Sequence, residues 1–252
     1  MPTRLACLCL LLAIAAPAAA ADDASPLGLS YVETSDLTIV YFDSLSHLVP
    51  HATRTLTNSH AWQRRVFGWT PSQKVGVLLK DFSDYGGASA WVAPRNSLNI
   101  DVAPLSMAFE TFAASERLYS LSNHELVHVA TGDGASAEDR FWRGLFRGKV
   151  TPQSQNPESL LYNYLTVPRF AVPRWYLEGS AVFMETWMSG GIGRAQGGYD
   201  EMVFRAMVRD NVAFYDPLGL ASKGVRVDFQ VGANAYLYVT RFFTWLAYTR
   251  SP

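Results

Sequence analysis

Between His124 and His128 the chain reads His-Glu-Leu-Val-His, inside a stretch from Phe109 to Ala130 that contains neither proline nor glycine. Such a stretch predicts a helix, and Gly132 and Gly134 just beyond it predict its end. Residues four apart on a helix share one face, with Cβ atoms roughly 5–6 Å apart, so both imidazoles can reach a single ion at ~2.0–2.1 Å. Glu125 then lies beside that ion, where it can hold and deprotonate a water made acidic by the metal. Leu121, Leu126, Val127 and Val129 make this a buried helix, in which two unpaired imidazoles would need partners. The pattern also constrains the fold. A catalytic zinc takes a third protein ligand and keeps an open position, so a second element must be brought against this helix.

The other parts of the 252-residue chain must supply that second element. Leu37–Phe42 (LTIVYF) and 74–80 (KVGVLLK) are β-branched or apolar runs that predict strands. Leu45–Phe67 between them carries helix-period apolar residues, with Pro50 delaying or kinking its start, which makes a βαβ-like opening. Two shorter alternating runs, 88–93 and 97–102, predict a hairpin or strand pair at a sheet edge. Beyond Gly134 only helices and turns are evident. Strands first and helices afterwards argue for an α+β fold, with a sheet-containing lobe over 22–135 and a helical lobe over 136–252.

The third ligand is narrowed by elimination. An extended H-E-x-x-H-x-x-G-x-x-H pattern would need Gly at position 131 and His at 134, where the chain has Thr131 and Gly134. His47, His51 and His60 all lie upstream in the crossover-helix region, where a lone histidine reads as a surface or capping residue. A carboxylate is the better candidate. Glu178 lies on a second predicted helix opened by Pro173, among Trp175, Leu177, Ala181 and Val182, where a carboxylate is costly unless it is paired or bound to metal. Gly179 beside it allows another backbone to come close.

In HELVH at His124–His128 and WYLEGSAVFME at Trp175–Glu185 the chain resembles the gluzincin, or peptidase MA-like, zinc metallopeptidases, which include M1-type and thermolysin-like enzymes. The second segment fits that family's W-x-x-E-G-x-A form, with a further Glu seven residues after the ligand. The resemblance implies a zincin-like fold: a twisted, mixed β-sheet lobe carrying the active-site helix, followed by a helical lobe. It implies that His124, His128 and Glu178 bind Zn2+, that Glu125 is the base, and that Glu185 orients a ligand unless it is an ordinary surface carboxylate. Tyr236, with Tyr238 as the fallback, would steady the developing oxyanion. Ser97–Val102 would be the edge strand that aligns an extended peptide or protein substrate.

Three departures from the family pattern stand out. Fifty positions separate His128 from Glu178, and this long insert carries Phe141, Trp142, Arg143, Phe146 and Arg147, expected on two helices that cover or narrow the cleft. The G-x-M-x-N edge motif of M1 aminopeptidases is absent, so exopeptidase specificity does not carry over. The chain stops at Tyr248–Pro252 directly after an apolar helix, which leads us to expect C-terminal truncation and a further C-terminal domain.

Charge and cysteine usage bound the setting. Lys+Arg number 21 against 22 Asp+Glu, with no basic run, which argues against nucleic-acid binding. Residues 1–21 read as a secretory signal peptide: Arg4 precedes the apolar run Leu5–Ala16, and Ala18 and Ala20 form the small-residue cleavage step. That run is too short to span a bilayer, so no transmembrane segment is expected in the mature chain. Both cysteines, Cys7 and Cys9, fall within it, so the mature protein is expected in the periplasm or outside the cell without disulfides. Gly190–Gly198 has Gln196 where G-x-G-x-x-G needs its third glycine, and it follows a helix, so it reads as a loop. No histidine follows His128 to complete a serine triad in the usual hydrolase order. The alternative to an enzyme is a non-catalytic, zinc-stabilised envelope module that binds a partner protein through the aromatic insert at Phe141–Phe146. A purely structural zinc site would close its fourth position with Cys or His, and the mature chain has no cysteine and, besides the motif pair, only the histidines of the crossover-helix region.

Overall fold

The structure, a computed structural model, describes residues 27–104, 116–188, 190–191, 193–221 and 234–250. The expected signal peptide with Cys7 and Cys9, and the first part of the expected motif helix, 109–115, lie outside the described residues.

The runs expected as strands form β2 (Leu37–Phe42) and β3 (Val75–Lys80), paired in parallel with Ile39 opposite Val77. Parallel neighbours need a crossover, and α1 (Val49–Phe67) supplies it. A 3-10 turn over Asp43–Leu48 precedes α1, and Pro50 falls in its first turn, where a missing N–H costs no helical bond. The delayed start expected from that proline is therefore what forms. Gly68 closes α1 at φ 57°, in the left-handed region that favours glycine.

β4 (Gly87–Trp91) and β5 (Ser97–Asp101) pair antiparallel, and a strand not anticipated from the sequence, β1 (Leu29–Glu33), pairs with β2. The sheet order is β1-β2-β3-β5-β4. This corrects the expected edge: β5 is interior, with Leu98 opposite Val77 on one side and Ala90 on the other, and β4 is the edge strand. The physical reason is burial. Leu98 and Ile100 are sealed in the core, whereas β4 offers only small Ala88 and Ala90 inward and leaves Trp91 exposed.

One sheet face carries the core. Leu37, Ile39, Val75, Val77, Leu79, Leu98 and Ile100 recur at period two, and Ala52 and Leu56 of α1 pack on them with Leu121, Leu126, Val129 and Ala130. The last four belong to α2 (Arg117–Asp133), which carries the His-Glu-Leu-Val-His motif. The fold is thus mixed α+β, and among the described residues everything after α2 is helix or turn apart from one isolated bridge, Gln153 to Asn156. No helix among them is long and apolar enough to cross a membrane.

The long insert contains the two expected helices, α3 (Ala137–Leu145) and α4 (Ser159–Thr166). Asp133, at the end of α2, ties it down. Its carboxylate accepts from Lys149 Nζ (2.8 Å), Trp69 Nε1 (3.0 Å) and the Ser72 amide (2.9 Å), and its backbone oxygen accepts from Arg143 Nη1 (2.9 Å). The insert is thereby fixed to the C-terminal end of α2. Among the described residues four further α-helices follow: α5 (Arg174–Met188), α6 (Gly198–Arg209), α7 (Pro217–Ala221) and α8 (Asn234–Arg250).

Candidate metal centre

The start of α2 is set by Glu116, whose carboxylate accepts from the amides of Leu118 (3.1 Å) and Tyr119 (2.6 Å), satisfying two donors that have no helical partner. From there α2 runs buried between the sheet and α5. The two helices lie antiparallel: Tyr119 Oη donates to the carbonyl of Met188 (2.9 Å), His124 meets Glu185, and His128 meets Glu178. Glu178 and Glu185 are seven residues apart, two helical turns, so both reach α2 from one face of α5.

Three donor atoms converge. His124 Nε2 and His128 Nε2 are 3.3 Å apart, and each is 3.4 Å from Glu178 Oε2. Ligand atoms at ~2.0–2.1 Å from one ion and tetrahedral angles to each other stand ~3.3–3.4 Å apart, so this triangle has the size of one face of a zinc tetrahedron. The donor chemistry fits as well. Two ring nitrogens and a carboxylate oxygen turned toward one point share no hydrogen that could satisfy all three, whereas a divalent cation would. Among the described residues these three form the group of His, Asp and Glu side chains close enough to share an ion. His128 and Glu178 keep 10% and 15% of their side-chain surface exposed, so solvent reaches the centre from their side.

The other nitrogen of His124 is also engaged. Nδ1 lies 2.7 Å from Glu185 Oε2, which sets it as the donor and turns Nε2 toward the cluster. Burial alone would push the His124 pKa down, but hydrogen bonds to Glu178 and Glu185 overcome it and hold the value up to about 10. Burial would likewise raise both carboxyls. His124 and His128 instead hold Glu178 well below the usual carboxylate range, and Arg194 with His124 brings Glu185 down to about 2. Glu125 differs: it is buried, and burial keeps its carboxyl above the ordinary value against the pull of His124 and His128.

Tyr236 comes in from α8, which runs alongside α5 in the same direction. Gly179 makes this possible, since a Cβ there would stand 2.2 Å from Val239 Cγ1. The close approach expected at Gly179 is therefore made by α8 rather than by α2. Tyr236, one turn before Val239, stacks on the His124 ring with centroids 6.2 Å apart, and Arg174 Nη2 donates to its hydroxyl at 3.3 Å. Burial and the Glu178 charge push its phenol well above the usual range, so the hydroxyl keeps its proton as a donor. The fallback, Tyr238, points elsewhere, edge-on to Phe204 at 5.1 Å.

The upstream histidines take no part. His47 contacts the Ser44 carbonyl and His51 pairs with Glu116, as surface or capping residues do. His60 departs from that expectation: it is buried edge-on against Trp69 at 5.0 Å. Sequence reasoning missed two arginines. Arg174 stands four residues before Glu178 on α5, a helical spacing that could have flagged it. Arg194 stands in the segment read as a loop, where a 3-10 turn spans Arg194–Gln196, and it grips Glu185. Nothing in that segment's sequence announces the contact. Compared with known protein families and with curated proteins, the chain matches none.

Proposed function

We propose that the protein is an exported zinc-dependent peptidase with a zincin-like fold, hydrolysing peptide bonds. The observation that carries this reading is the 3.3–3.4 Å triangle of His124, His128 and Glu178, with buried Glu125 on the same helix turn. Its resemblance to gluzincins in the two helical segments supports it further. A zinc ion held there would acidify a water and polarise a substrate carbonyl.

The chain's own residues supply the remaining steps. Glu125, its carboxyl raised by burial, takes a proton from the attacking water and passes it to the leaving amine. The Tyr236 hydroxyl donates to the carbonyl oxygen as negative charge develops there, and Arg174 holds that hydroxyl from behind. β4, one of the sheet's two edge strands and packed near α2, is joined on its outer side by no strand among the described residues, and that side suits an extended peptide backbone.

The test is Glu125→Gln, assayed with a peptide library and by metal analysis. The variant should bind about one zinc per chain and cleave nothing; wild-type cleavage in the variant would refute the base assignment. A wild-type protein that binds zinc, gains thermal stability from it and cleaves no peptide would instead favour the zinc-stabilised binding module.

A further inference from the structure

We infer that Arg194 is a positioning residue of the metal centre: through Glu185 it fixes the imidazole of His124, and so sets how tightly the three ligands hold their cation. The inference rests on the zinc reading above.

The contacts form an unbroken chain from turn to ligand. Arg194 Nε donates to Glu185 Oε1 at 2.8 Å and Nη2 to Oε2 at 2.9 Å, a two-pronged grip that fixes the plane of the carboxylate. The same Oε2 receives His124 Nδ1 at 2.7 Å. A carboxylate held in plane holds the ring it accepts from, and the ring's rotation decides where Nε2 points. Arg194 Nη2 also comes within 3.1 Å of His124 Nδ1, and its guanidinium carbon lies 4.9 Å from the centre of the Tyr236 ring, which itself stacks on His124. Arg194 is buried between them.

The turn that delivers Arg194 is itself pinned to α5. The Ala195 amide donates to Thr186 Oγ1 at 3.0 Å, and that hydroxyl donates to the Val182 carbonyl at 2.9 Å. Gly193 lies so near that a Cβ would stand 2.4 Å from Thr186 Oγ1 and 2.8 Å from its Cα. Glycine is thus required by close approach, one residue before the arginine and against the neighbour of Glu185. A lysine at 194 would keep the charge but lose the planar grip.

A residue that merely neutralised Glu185 would affect stability and leave metal affinity alone. The experiment therefore reads the zinc Kd, by competition with a chromophoric chelator, in wild type, Arg194→Met, Arg194→Lys, Gly193→Ala, Glu185→Gln and the Arg194→Met/Glu185→Gln double variant. Arg194→Met and Glu185→Gln should each weaken zinc binding about 10–100-fold, as loss of an outer partner of a ligand does. The double variant should bind no more weakly than the weaker single one, Arg194→Lys should recover part of the affinity, and Gly193→Ala should weaken binding without altering any charge. Wild-type affinity in both Arg194→Met and Gly193→Ala, or strictly additive losses in the double variant, would overturn the inference and leave the zinc reading intact. A wild-type protein that binds no zinc would overturn both.

Discussion

His124 Nδ1 lies 2.7 Å from Glu185 Oε2, joining helices whose residues are 61 positions apart in the chain. On the other side of the same ring, Nε2 faces Glu178 Oε2 at 3.4 Å. One imidazole is therefore held between two carboxylates from a single face of α5, one aligning it and the other completing a set of three atoms close enough to share an ion. Four expectations follow from this arrangement and from the elements that support it.

In the proposed zinc site Glu178 supplies the third ligand, so Glu178→Ala should lose zinc while keeping its fold. The side chain retains some solvent exposure, and its removal opens no sealed cavity. Metal analysis should fall from about one zinc per chain to near none after mild chelation, with an unchanged far-ultraviolet circular dichroism spectrum. A fully loaded Glu178→Ala protein would move the third ligand elsewhere.

Tyr236→Phe separates the ring from the hydroxyl. The ring's stacking on His124 and its contact with Arg194 survive the change, so zinc affinity should hold. Peptide hydrolysis should fall by roughly 100–1,000-fold in kcat, the usual effect of losing one donor to a developing oxyanion. Steady-state kinetics on the zinc-loaded variant would show it, and an unchanged kcat would remove Tyr236 from the reaction.

Gly179→Ala tests the packing of α5 on α8. The added methyl group would meet Val239 at 2.2 Å, and the helices must part to admit it. Overpacking of this kind costs about 1–3 kcal/mol. Denaturant unfolding should show that loss. Because Tyr236 sits one turn from Val239, activity should drop further than stability alone explains.

Asp133 governs an acid-sensitive part of the fold. Burial would raise its carboxyl, but Lys149 and the hydrogen bonds from Ser72 bring it from 3.8 down to about 2. A depressed acid contributes its stability above its unfolded value and loses it as pH falls through the folded one, so the loss runs from near pH 4 down toward pH 2. At about 1.4 kcal/mol for each pH unit of depression, the contribution at neutral pH is about 2 kcal/mol. Asp133→Asn should lower stability at pH 7 and flatten the decline across the acid window. An acid limb as steep as that of wild type would assign the sensitivity to other groups.

The α+β order, the crossover helix and the facing pair of His124 and His128 could be read from the chain because each depends on residues close in sequence. Histidines four apart meet on any helix, β-branched runs pair as strands wherever a face is buried, and Pro50 delays a helix start by its own chemistry. Glu178 could be read for a related reason, since a carboxylate on an apolar stripe needs a partner. Strand order was a different matter. That β5 is interior and β4 the edge depends on which apolar side chains find cover from α1 and α2, and no local pattern specifies that competition. Arg194 shows the same limit from the other side. Its role comes from a turn that folds back onto α5 because Gly193 leaves no Cβ to clash with Thr186, a juxtaposition that exists only once the helices have packed. The sequence by itself thus determined the candidate ligands and the helices that carry them, through short-range geometry. Only the tertiary structure decided what aligns those ligands, because alignment depends on contacts between segments that meet nowhere but in the folded core.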